Sequence, residues 1–384
     1  MINLDLSDAQ PIYLCGWGHF SPPLRYTNAE VCEALGLPPT VAAQMEQRIG
    51  TRFRRTCVDL GTKQQIVAAS TMAYEAASLA LQRAQLPPTA VQAIVTVSTI
   101  LDYFCPSNSV YVQKRLGLNA GLTYDLVGGC GAWAQGLMLA AQFLHSGLAE
   151  TILVIAAEPL TRQLWTSRRA WEALAFGDGA AAMLFSTRHP GPFVLRRCVL
   201  NTVGSLDGCR DEVMTIPVLA PILPPLLVEN DRVEPGLPHV DFPDAYRSTQ
   251  RPDLAAKFAP RYMAEAIKAV IAGIPLRDVY ICPHQPSRVV LDALREELQL
   301  DPSQVAVTNP DLGNLSSASS PTAFCVRFAE GPAKYPWTVI APLGTGLTYG
   351  AALLERVRDA DRDSERDDHR AATGADSSAM CHDS

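Results

Sequence analysis

The sequence predicts a mixed α/β fold made of two similar halves, and two patterns indicate it. Short β-branched runs alternate with segments of helical periodicity along most of the 384 residues. Residues 86–121 and 274–304 also share one plan, in which a strand is followed by a loop with proline and serine, then a helix and a turn. Duplication would bring equivalent loops together at a pseudo-twofold centre. We therefore expect the segments that follow the two copies, at Cys130 and at Asn314, to share one site.

The individual elements are predicted from runs that have the period of a strand or of a helix. The predicted strands are VQAIVTVST, YDLVGG, ETILVIAAE, GDGAAAMLFS, FVLRRCVL, DVYICP, QVAVTN, WTVIAPLG and TYGAALLERV. The predicted helices are SNSVYVQKRLGL, residues 131–146, SRVVLDALREELQL and SASSPTAFCVRFAEG. Strands that alternate with helices in this way are typical of α/β proteins.

Composition excludes several classes of function. A net charge of −7 argues against a nucleic-acid partner, which would need a basic face. No run approaches the roughly 18 apolar residues of a membrane span, and the polar opening MINLDLSDAQ lacks a signal pattern. The ten cysteines are scattered without the C-x-x-C spacing of a metal or redox site. We expect a cytoplasmic protein with no metal, no membrane partner and mostly core cysteines.

Four segments follow from the distribution of prolines and charges. Residues 206–252 contain eight prolines, a density that excludes central strands and long helices, so we expect an extended surface excursion there. Residues 358–384 are charged and small, which predicts a disordered tail. The remaining segments, 1–205 and 253–357, are expected to be the two halves of the fold.

Cys130 is the first candidate for chemistry. It lies between a predicted strand and a buried helix, in the order DLVGG-C-GAWAQGL, where Gly128 and Gly129 allow a tight turn. A thiol at a helix N-terminus is expected to have a lowered pKa because the macrodipole favours the thiolate. From this stretch alone a nucleophile and a core cysteine are equally supported.

His284 and Asn314 are the next candidates. His284 follows a buried strand in VYICPHQPSRVV and is the candidate base, although a capping or core histidine fits the same place. Asn314, in DLGNLSSASSPTAF, could donate a hydrogen bond to a substrate oxygen, or it could be a turn residue before a serine cap. In LGTGLTYGAAL, Gly344 and Gly346 could supply one arm of an oxyanion hole. Asp178, in FGDGAAAMLF, is interpreted as a turn former.

Taken in order, these motifs resemble the thiolase-like condensing enzymes, and among them β-ketoacyl-acyl-carrier-protein synthase III. The likeness extends from IYLCGWGHFSPP to GLTYGAALLE and includes the landmarks RIGTRFRR and FGDGAAA. The family's nucleophilic cysteine, its histidine in P-H-Q and its asparagine in G-N-x-S-x-A-S map to Cys130, His284 and Asn314. The resemblance implies a thiolase-like fold, with two duplicated mixed-sheet halves in αβαβα layers around a buried central helix pair. With all the motifs present, Cys130 is favoured as the nucleophile.

The resemblance also implies the chemistry. Cys130 would take an acyl group from an acyl-CoA or acyl-carrier-protein thioester, with the backbone N–H groups of Cys130 and Gly346 as the oxyanion hole. His284 and Asn314 would hydrogen-bond the oxygen of a malonyl-type thioester, so that loss of CO₂ leaves an enolate that attacks the acyl group. No cofactor is needed, and a homodimer is expected.

Four departures from the family bear on substrate binding. Trp133 follows an altered CGA around the nucleophile and could reshape the pocket, and Ser287 stands where an asparagine is common. Gln44 replaces a tryptophan that stacks on the CoA adenine in the family, although Arg48 nearby is kept. Cys105 replaces a phenylalanine that reaches the partner's acyl pocket, which predicts a wider tunnel.

The family's second adenine-contacting arginine falls at Ala170, beside Arg168 and Arg169. Together with Gln44 this favours a donor bound to a carrier protein. The departures predict a specialised enzyme of polyketide or other secondary-metabolite assembly. Fatty-acid chain initiation, acyl transfer to a hydroxyl or amine, and a non-catalytic partner subunit are the alternatives.

Overall fold

The computed structural model of the protein describes residues 1–103, 105–118, 121–164, 170–204, 252–329 and 335–357, with four two-residue strands between 214 and 250. The strands are β1 Ile2–Asp5, β2 Ile12–Phe20, β3 Leu24–Thr27, β4 Phe53–Thr56, β5 Ala93–Ser98, β6 Leu122–Val127, β7 Thr151–Glu158, β8 Gly179–Ser186, β9 Phe193–Thr202, β10 Met214–Thr215, β11 Val228–Glu229, β12 Arg232–Val233, β13 Thr249–Gln250, β14 Val279–Pro283, β15 Trp337–Ala341, β16 Leu343–Gly344 and β17 Thr348–Arg356. The helices are α1 Asn28–Ala34, α2 Pro39–Ile49, α3 Ala69–Ala84, α4 Asn108–Arg115, α5 Ala132–His145, α6 Thr161–Leu164, α7 Ala170–Ala175, α8 Pro252–Val270, α9 Arg288–Leu298, α10 Asn309–Leu312 and α11 Ser319–Arg327.

One large mixed sheet carries the fold, with the strand order β14-β15-β17-β9-β2-β8-β7-β5-β6. Its two ends repeat the same pairing. β5 and β7 are parallel, whereas β7 pairs with β8 and β8 with β2 antiparallel. In the same way β14 and β15 are parallel, whereas β15 pairs with β17 and β17 with β9 antiparallel. This repetition agrees with duplicated halves. β9 precedes residue 205 in sequence but pairs with β17 of the C-terminal set, so the boundary between the halves near residue 205 remains a proposal.

Alternation along the strands sorts the core into layers, because successive side chains of a strand point to opposite faces. In β5, Ile94 packs with α3 and α4 on one face, whereas Val95 and Val97 pack against α5 and α11 on the other. In β14, Ile281 packs with α8 and α9, whereas Cys282 faces α5 and α11. The layers are therefore αβαβα, with α5 and α11 as the buried central pair, and the predicted thiolase-like fold is confirmed.

A fourth apolar cluster lies beside these layers. It joins α1, α2 and α7, and the β3–β4 hairpin is adjacent. Val31, Ile49 and Phe176 are among its fully buried members. Because α2 carries Arg48 and Phe176 begins the FGDG segment, this cluster ties a surface helix to the loop that supports Asn314.

Most predicted elements agree with the structure, and QVAVTN is the exception. Its Val305 makes only an isolated bridge with Ile281, so the predicted strand is wrong. The chain there runs from a short 3₁₀ turn, Pro302–Gln304, directly into α10. Among the described residues no helix is long and apolar enough to cross a membrane. The predicted tail 358–384 and the predicted disposition of 206–252 lie outside the described residues, apart from the short strands β10 to β13.

Candidate active site

The turn that carries Cys130 is held by backbone from the C-terminal part of the chain. β6 ends at Val127 and α5 begins at Ala132, so four residues make the connection. A Cβ on Gly131 would lie 2.4 Å from the carbonyl oxygen of Thr348, and one on Gly344 would lie 2.5 Å from the nitrogen of Cys130. Both distances are far below van der Waals contact. Glycine is therefore required at these positions because the two turns pack backbone to backbone.

The Cys130 thiol is buried, with 8% of the residue exposed. Burial raises its pKa to about 12, and the nearby Glu158 carboxylate also raises it. A hydrogen bond with the Ser316 hydroxyl and the backbone of Cys130 itself lower the pKa by less. The prediction of a lowered pKa from the helix macrodipole is wrong for this state, because desolvation outweighs the partial charge of the helix end.

His284 lies immediately after β14, where its backbone N–H donates to the carbonyl of Ala341 over 2.9 Å. Burial lowers the pKa of the imidazole to about 3, so the ring is neutral at physiological pH. Its Nδ1 atom is fully buried and has no hydrogen-bond partner among the described residues. We assign the ring proton to Nε2, because a proton on Nδ1 would have no acceptor. A neutral ring of this kind is a hydrogen-bond donor, and it is too weak a base for the proton-accepting role considered from the sequence.

Asn314 is fixed through its backbone by the FGDG segment. Its N–H donates to Ala175 over 2.9 Å, and its carbonyl accepts from Gly177 over 3.1 Å. Gly177 has no room for a side chain, because a Cβ would lie 2.2 Å from the carbonyl of Leu312. The glycine-rich FGDG motif therefore serves as the support of the asparagine loop.

The side-chain amide of Asn314 is oriented by its oxygen. Oδ1 accepts from the backbone N–H of Ser316 over 2.8 Å and from the hydroxyl of Ser319 over 3.2 Å. Because a backbone N–H can only donate, the atom facing Ser316 must be the oxygen. The Nδ2 group has no hydrogen-bond partner among the described residues, so both of its protons remain free to donate.

The Cys130 turn is linked to Asn314 through Ser316, and it packs on the segment that follows β15, the strand on which the backbone of His284 is anchored. Ser316, which contacts the thiol, is held by Asn314. His284 is paired with Ala341, three residues before Gly344, which packs on the nitrogen of Cys130. The segments that carry the thiol, the imidazole and the amide are thus connected although they lie far apart in sequence, and their common site remains a prediction.

Gly346, which is expected to contribute to the oxyanion hole, lies in the turn Thr345–Leu347, and this turn packs on the residues before Cys130. Gly346 has φ of 125° and follows Thr345, whose hydroxyl packs on Gly129. The backbone N–H of Cys130 has no backbone or side-chain acceptor from another described residue. The N–H of Cys130 is therefore available to a substrate oxygen, as one arm of an oxyanion hole requires, and the role of Gly346 remains a prediction.

The residues predicted to bind substrate are more dispersed. Arg48 is exposed in the last turn of α2, and Gln44 is exposed one turn earlier on the same face. Cys105 is exposed in the loop before α4. Arg168 and Arg169 lie outside the described residues, as does the side chain of Ala170.

Trp133 lies in the hydrophobic core and Ser287 caps a helix. Trp133 is fully buried in the central layer, and its indole nitrogen has no partner among the described residues. Ser287 is the N-cap of α9, and its hydroxyl accepts from the backbone N–H of Val290 over 3.4 Å. Capping explains a serine at this position without any contact to substrate.

Two buried carboxylates were not singled out for chemistry from the sequence. Asp178 accepts from the backbone N–H groups of Cys57, at 2.6 Å, and Thr161, at 2.8 Å, which makes it a link between loops. Glu158 closes β7 and accepts hydrogen bonds from Thr99 and Ser317. Its signal in the sequence is an acidic residue at the end of the otherwise apolar run ETILVIAAE. Burial outweighs these donors and raises the pKa of Glu158 to about 7.

Comparison with known proteins gives the family. The sequence model described as 3-Oxoacyl-[acyl-carrier-protein (ACP)] synthase III matches residues 124–202, and that of its C-terminal part matches residues 271–356. The β-ketoacyl-[acyl-carrier-protein] synthase III of Coxiella burnetii is 27% identical over 347 residues, covering 88% of this chain and 98% of that protein. Both matched segments make the chain similar to the synthase III family of thiolase-like condensing enzymes.

Solved structures place this condensing enzyme in the same group. The crystal structure of 3-oxoacyl-[acyl-carrier-protein] synthase III from Aquifex aeolicus has a TM-score of 0.73 and 26% identity, covering 90% of this chain and 99% of that chain. A structure described as a tetronic acid condensing enzyme has a TM-score of 0.76 and 21% identity, covering 90% and 99%. The second likeness concerns the fold alone. The protein is therefore an acyl-transferring condensing enzyme of the synthase III type.

Proposed function

We propose that the protein loads an acyl thioester on Cys130 and then performs a decarboxylative Claisen condensation with a malonyl-type thioester. The observation that carries the proposal is the link from the buried Cys130 thiol through Ser316 to Asn314, whose Nδ2 group is free to donate, and the neutral state of His284 at the end of β14 supports it. This set contains one nucleophile and two neutral donors, which are the groups that thioester exchange and enolate formation need.

In the loading step, the sulfur of Cys130 attacks the thioester carbonyl of the donor. The negative charge that develops on the oxygen is stabilised by the backbone N–H groups of Cys130 and Gly346. Collapse of this intermediate expels the donor thiolate and leaves the acyl group on Cys130. The low local dielectric of a buried site strengthens each of these hydrogen bonds.

In the condensation step, the malonyl-type thioester places its carbonyl oxygen between Nε2 of His284 and Nδ2 of Asn314. Loss of CO₂ transfers an electron pair into this carbonyl, and the enolate oxygen accepts from both donors. A neutral imidazole is suited to this task because it donates without attracting the departing carboxylate. The enolate carbon then attacks the acyl group, the new carbon–carbon bond forms, and the sulfur of Cys130 leaves.

Specialised metabolism is the setting we propose. Gln44 offers no aromatic face beside Arg48, and Cys105 is small and exposed, which together suit a carrier-bound donor and a wide acyl tunnel. Intact-mass measurement of the protein after incubation with acetyl-, butyryl-, hexanoyl- and octanoyl-thioesters tests this setting. We expect the longer chains to load at least as well as acetyl, with acyl-carrier-protein donors faster than CoA donors. Exclusive loading from acetyl-CoA would contradict it.

A homodimer is proposed on the basis of β6. This strand ends the large sheet, and no strand pairs with its outer edge in the described part of the chain. Val127 is 63% exposed, and Tyr124, Leu122 and Leu126 add apolar surface along the same strand. An unpaired strand edge with apolar side chains is a common dimer contact.

The dimer is tested by sedimentation velocity on two matched variants. Val127→Asp places a charge on the β6 surface and is expected to shift the protein to monomer. Val289→Asp is the control, because Val289 is 50% exposed on α9, which packs on β14 at the opposite end of the sheet from β6. Monomeric wild-type protein, or equal dissociation of both variants, would refute this interface.

A further inference from the structure

The hydroxyls around the Cys130 thiol form a continuous chain of hydrogen bonds that ends at a buried carboxylate. Ser316 contacts the sulfur, and its Oγ lies 3.0 Å from Oγ1 of Thr99. Oγ1 of Thr99 donates to Oε1 of Glu158 over 2.9 Å, and the carbonyl oxygen of Gly128 is a second, more distant acceptor of the same hydroxyl at 3.1 Å. Each hydroxyl can accept one hydrogen bond and donate the next, so the chain can run in one direction from sulfur to carboxylate.

The backbone of Ser316 is held in an unfavourable conformation. Ser316 has φ of 49°, the left-handed region that a non-glycine residue occupies at a cost. The hydrogen bond from the N–H of Ser316 to Oδ1 of Asn314 holds this conformation. The next residue, Ser317, donates to Glu158 through both its N–H and its hydroxyl. The strained residue thus places one hydroxyl between the thiol and Thr99.

The Cys130 thiol is almost entirely protonated near neutral pH, so its proton must be removed when it acts as a nucleophile. With a pKa of about 12, only about one thiol in 10⁵ is ionised at pH 7. The Glu158 carboxylate disfavours a free thiolate further, yet it is the nearby group whose pKa, about 7, allows it to hold a proton near neutrality. Asp178 is turned to Cys57 and Thr161, and His284 stays neutral with a pKa of about 3. In the part of the chain that the structure describes, the groups that donate hydrogen bonds to the Glu158 carboxylate are the uncharged donors of Thr99 and Ser317.

We propose that Glu158 is the terminal proton acceptor for Cys130, reached through the hydroxyls of Ser316 and Thr99. The inference rests on the proposed function for its place in the cycle. As the S–C bond to the acyl group forms, the S–H bond breaks and one proton moves along the chain to the Glu158 carboxylate. The departing donor thiolate takes a proton from water. When condensation later releases the sulfur of Cys130 as a thiolate, the proton returns from Glu158.

This scheme balances over a full cycle. Glu158 ends ionised and Cys130 ends as a thiol, as both began. The single proton that a decarboxylative condensation consumes is the one that water gives to the donor thiolate. Glu158 acts through Ser316 and Thr99 and does not touch the substrate, so it positions a proton for the nucleophile.

The test is the pH dependence of Cys130 alkylation by iodoacetamide, which needs no acyl donor and is independent of the proposed function. Transfer to Glu158 requires its ionised form, so the wild-type rate should fall as pH drops below about 7 and stay level from about pH 7.5 to 9.5. Thr99→Val breaks the chain without changing any charge. It should remove the plateau, so that the rate rises about tenfold per pH unit, and it should lower the rate at pH 8 by about 10- to 100-fold.

Two variants separate a proton path from simple support. Thr99→Ser keeps the hydroxyl and should restore the plateau. Ser317→Ala removes a hydroxyl bond to Glu158 that lies off the path and that lowers the pKa of this carboxyl group. The variant should therefore begin its plateau at a higher pH, keep the plateau itself, and reach a rate at pH 9.5 within about threefold of wild type. A wild-type profile without a plateau, or equal losses in Thr99→Val and Ser317→Ala at unchanged melting temperature, would overturn the proposal. If alkylation behaves as predicted and no acyl thioester loads, only the proposed function fails.

Discussion

Asn314→Asp should lower the rate of condensation by about 10²- to 10³-fold while leaving acyl loading on Cys130 within about tenfold of wild type. Aspartate keeps the oxygen that accepts from Ser316 and Ser319, so the loop stays anchored. It replaces the free Nδ2 donor by a second oxygen, which cannot stabilise an enolate. The magnitude is that of removing one oxyanion-hole donor.

Loading is measured by intact mass after rapid mixing with an acyl thioester, and condensation by CO₂ release and product formation with a malonyl thioester. Ser319→Ala is the matched control, because it removes one bond to Oδ1 and leaves the donor in place. Asn314→Ala should be at least as impaired as Asn314→Asp, since it loses the donor and the anchor together.

The outcome also decides between carbon–carbon bond formation and acyl transfer to a hydroxyl or amine. A transferase needs a nucleophile and a base, and it has no enolate to stabilise. If Asn314→Asp keeps near wild-type turnover, the amide is not an enolate donor and the transfer reaction becomes the better interpretation.

The layers of the fold were predictable because local pattern and tertiary position agree in the strands. β5 and β7 are buried throughout and mostly apolar, as strands covered on both faces should be, and their alternate residues divide between two helix layers. QVAVTN has the same local pattern and still forms no strand. Within this segment only Val305 forms a bridge, to Ile281 of β14, and the residues after it lead into α10. Pattern alone does not report whether a partner strand continues alongside.

The candidate residues of the site were predictable from motifs, whereas its electrostatics were not. A macrodipole argument favours thiolate at Cys130, but the sign of the pKa shift depends on how much water reaches the sulfur, which the sequence does not contain. The hydrogen-bond chain from Ser316 through Thr99 to Glu158 was likewise not predictable from the sequence. Thr99 is 59 residues from Glu158 and 217 residues from Ser316, so no spacing in the sequence joins them. Ser287 was predicted to bind substrate, and the structure shows it as the N-cap of α9. Residue type alone does not distinguish a helix cap from a substrate contact.

Cys130→Ala should abolish the acyl mass increment and lower condensation by about 10⁴-fold or more, as expected for loss of a covalent nucleophile. It should not abolish decarboxylation of the malonyl thioester. His284 and Asn314 are held by Ala341 and by the FGDG segment, so their positions do not depend on the sulfur. The enolate would still form and, having no acyl group to attack, would be protonated to the acetyl thioester.

This uncoupled reaction makes Cys130→Ala the mirror image of Asn314→Asp, because one variant loses loading and keeps CO₂ release while the other does the reverse. Cys198→Ala is the matched control, since Cys198 is equally buried and burial raises the pKa of its thiol to about 12 as well. It should keep both activities, which would show that position beside His284 and Asn314, and not thiol burial, confers reactivity. An acyl adduct that persists in Cys130→Ala would assign the nucleophile to another residue, and loss of CO₂ release in the same variant would tie enolate formation to the sulfur itself.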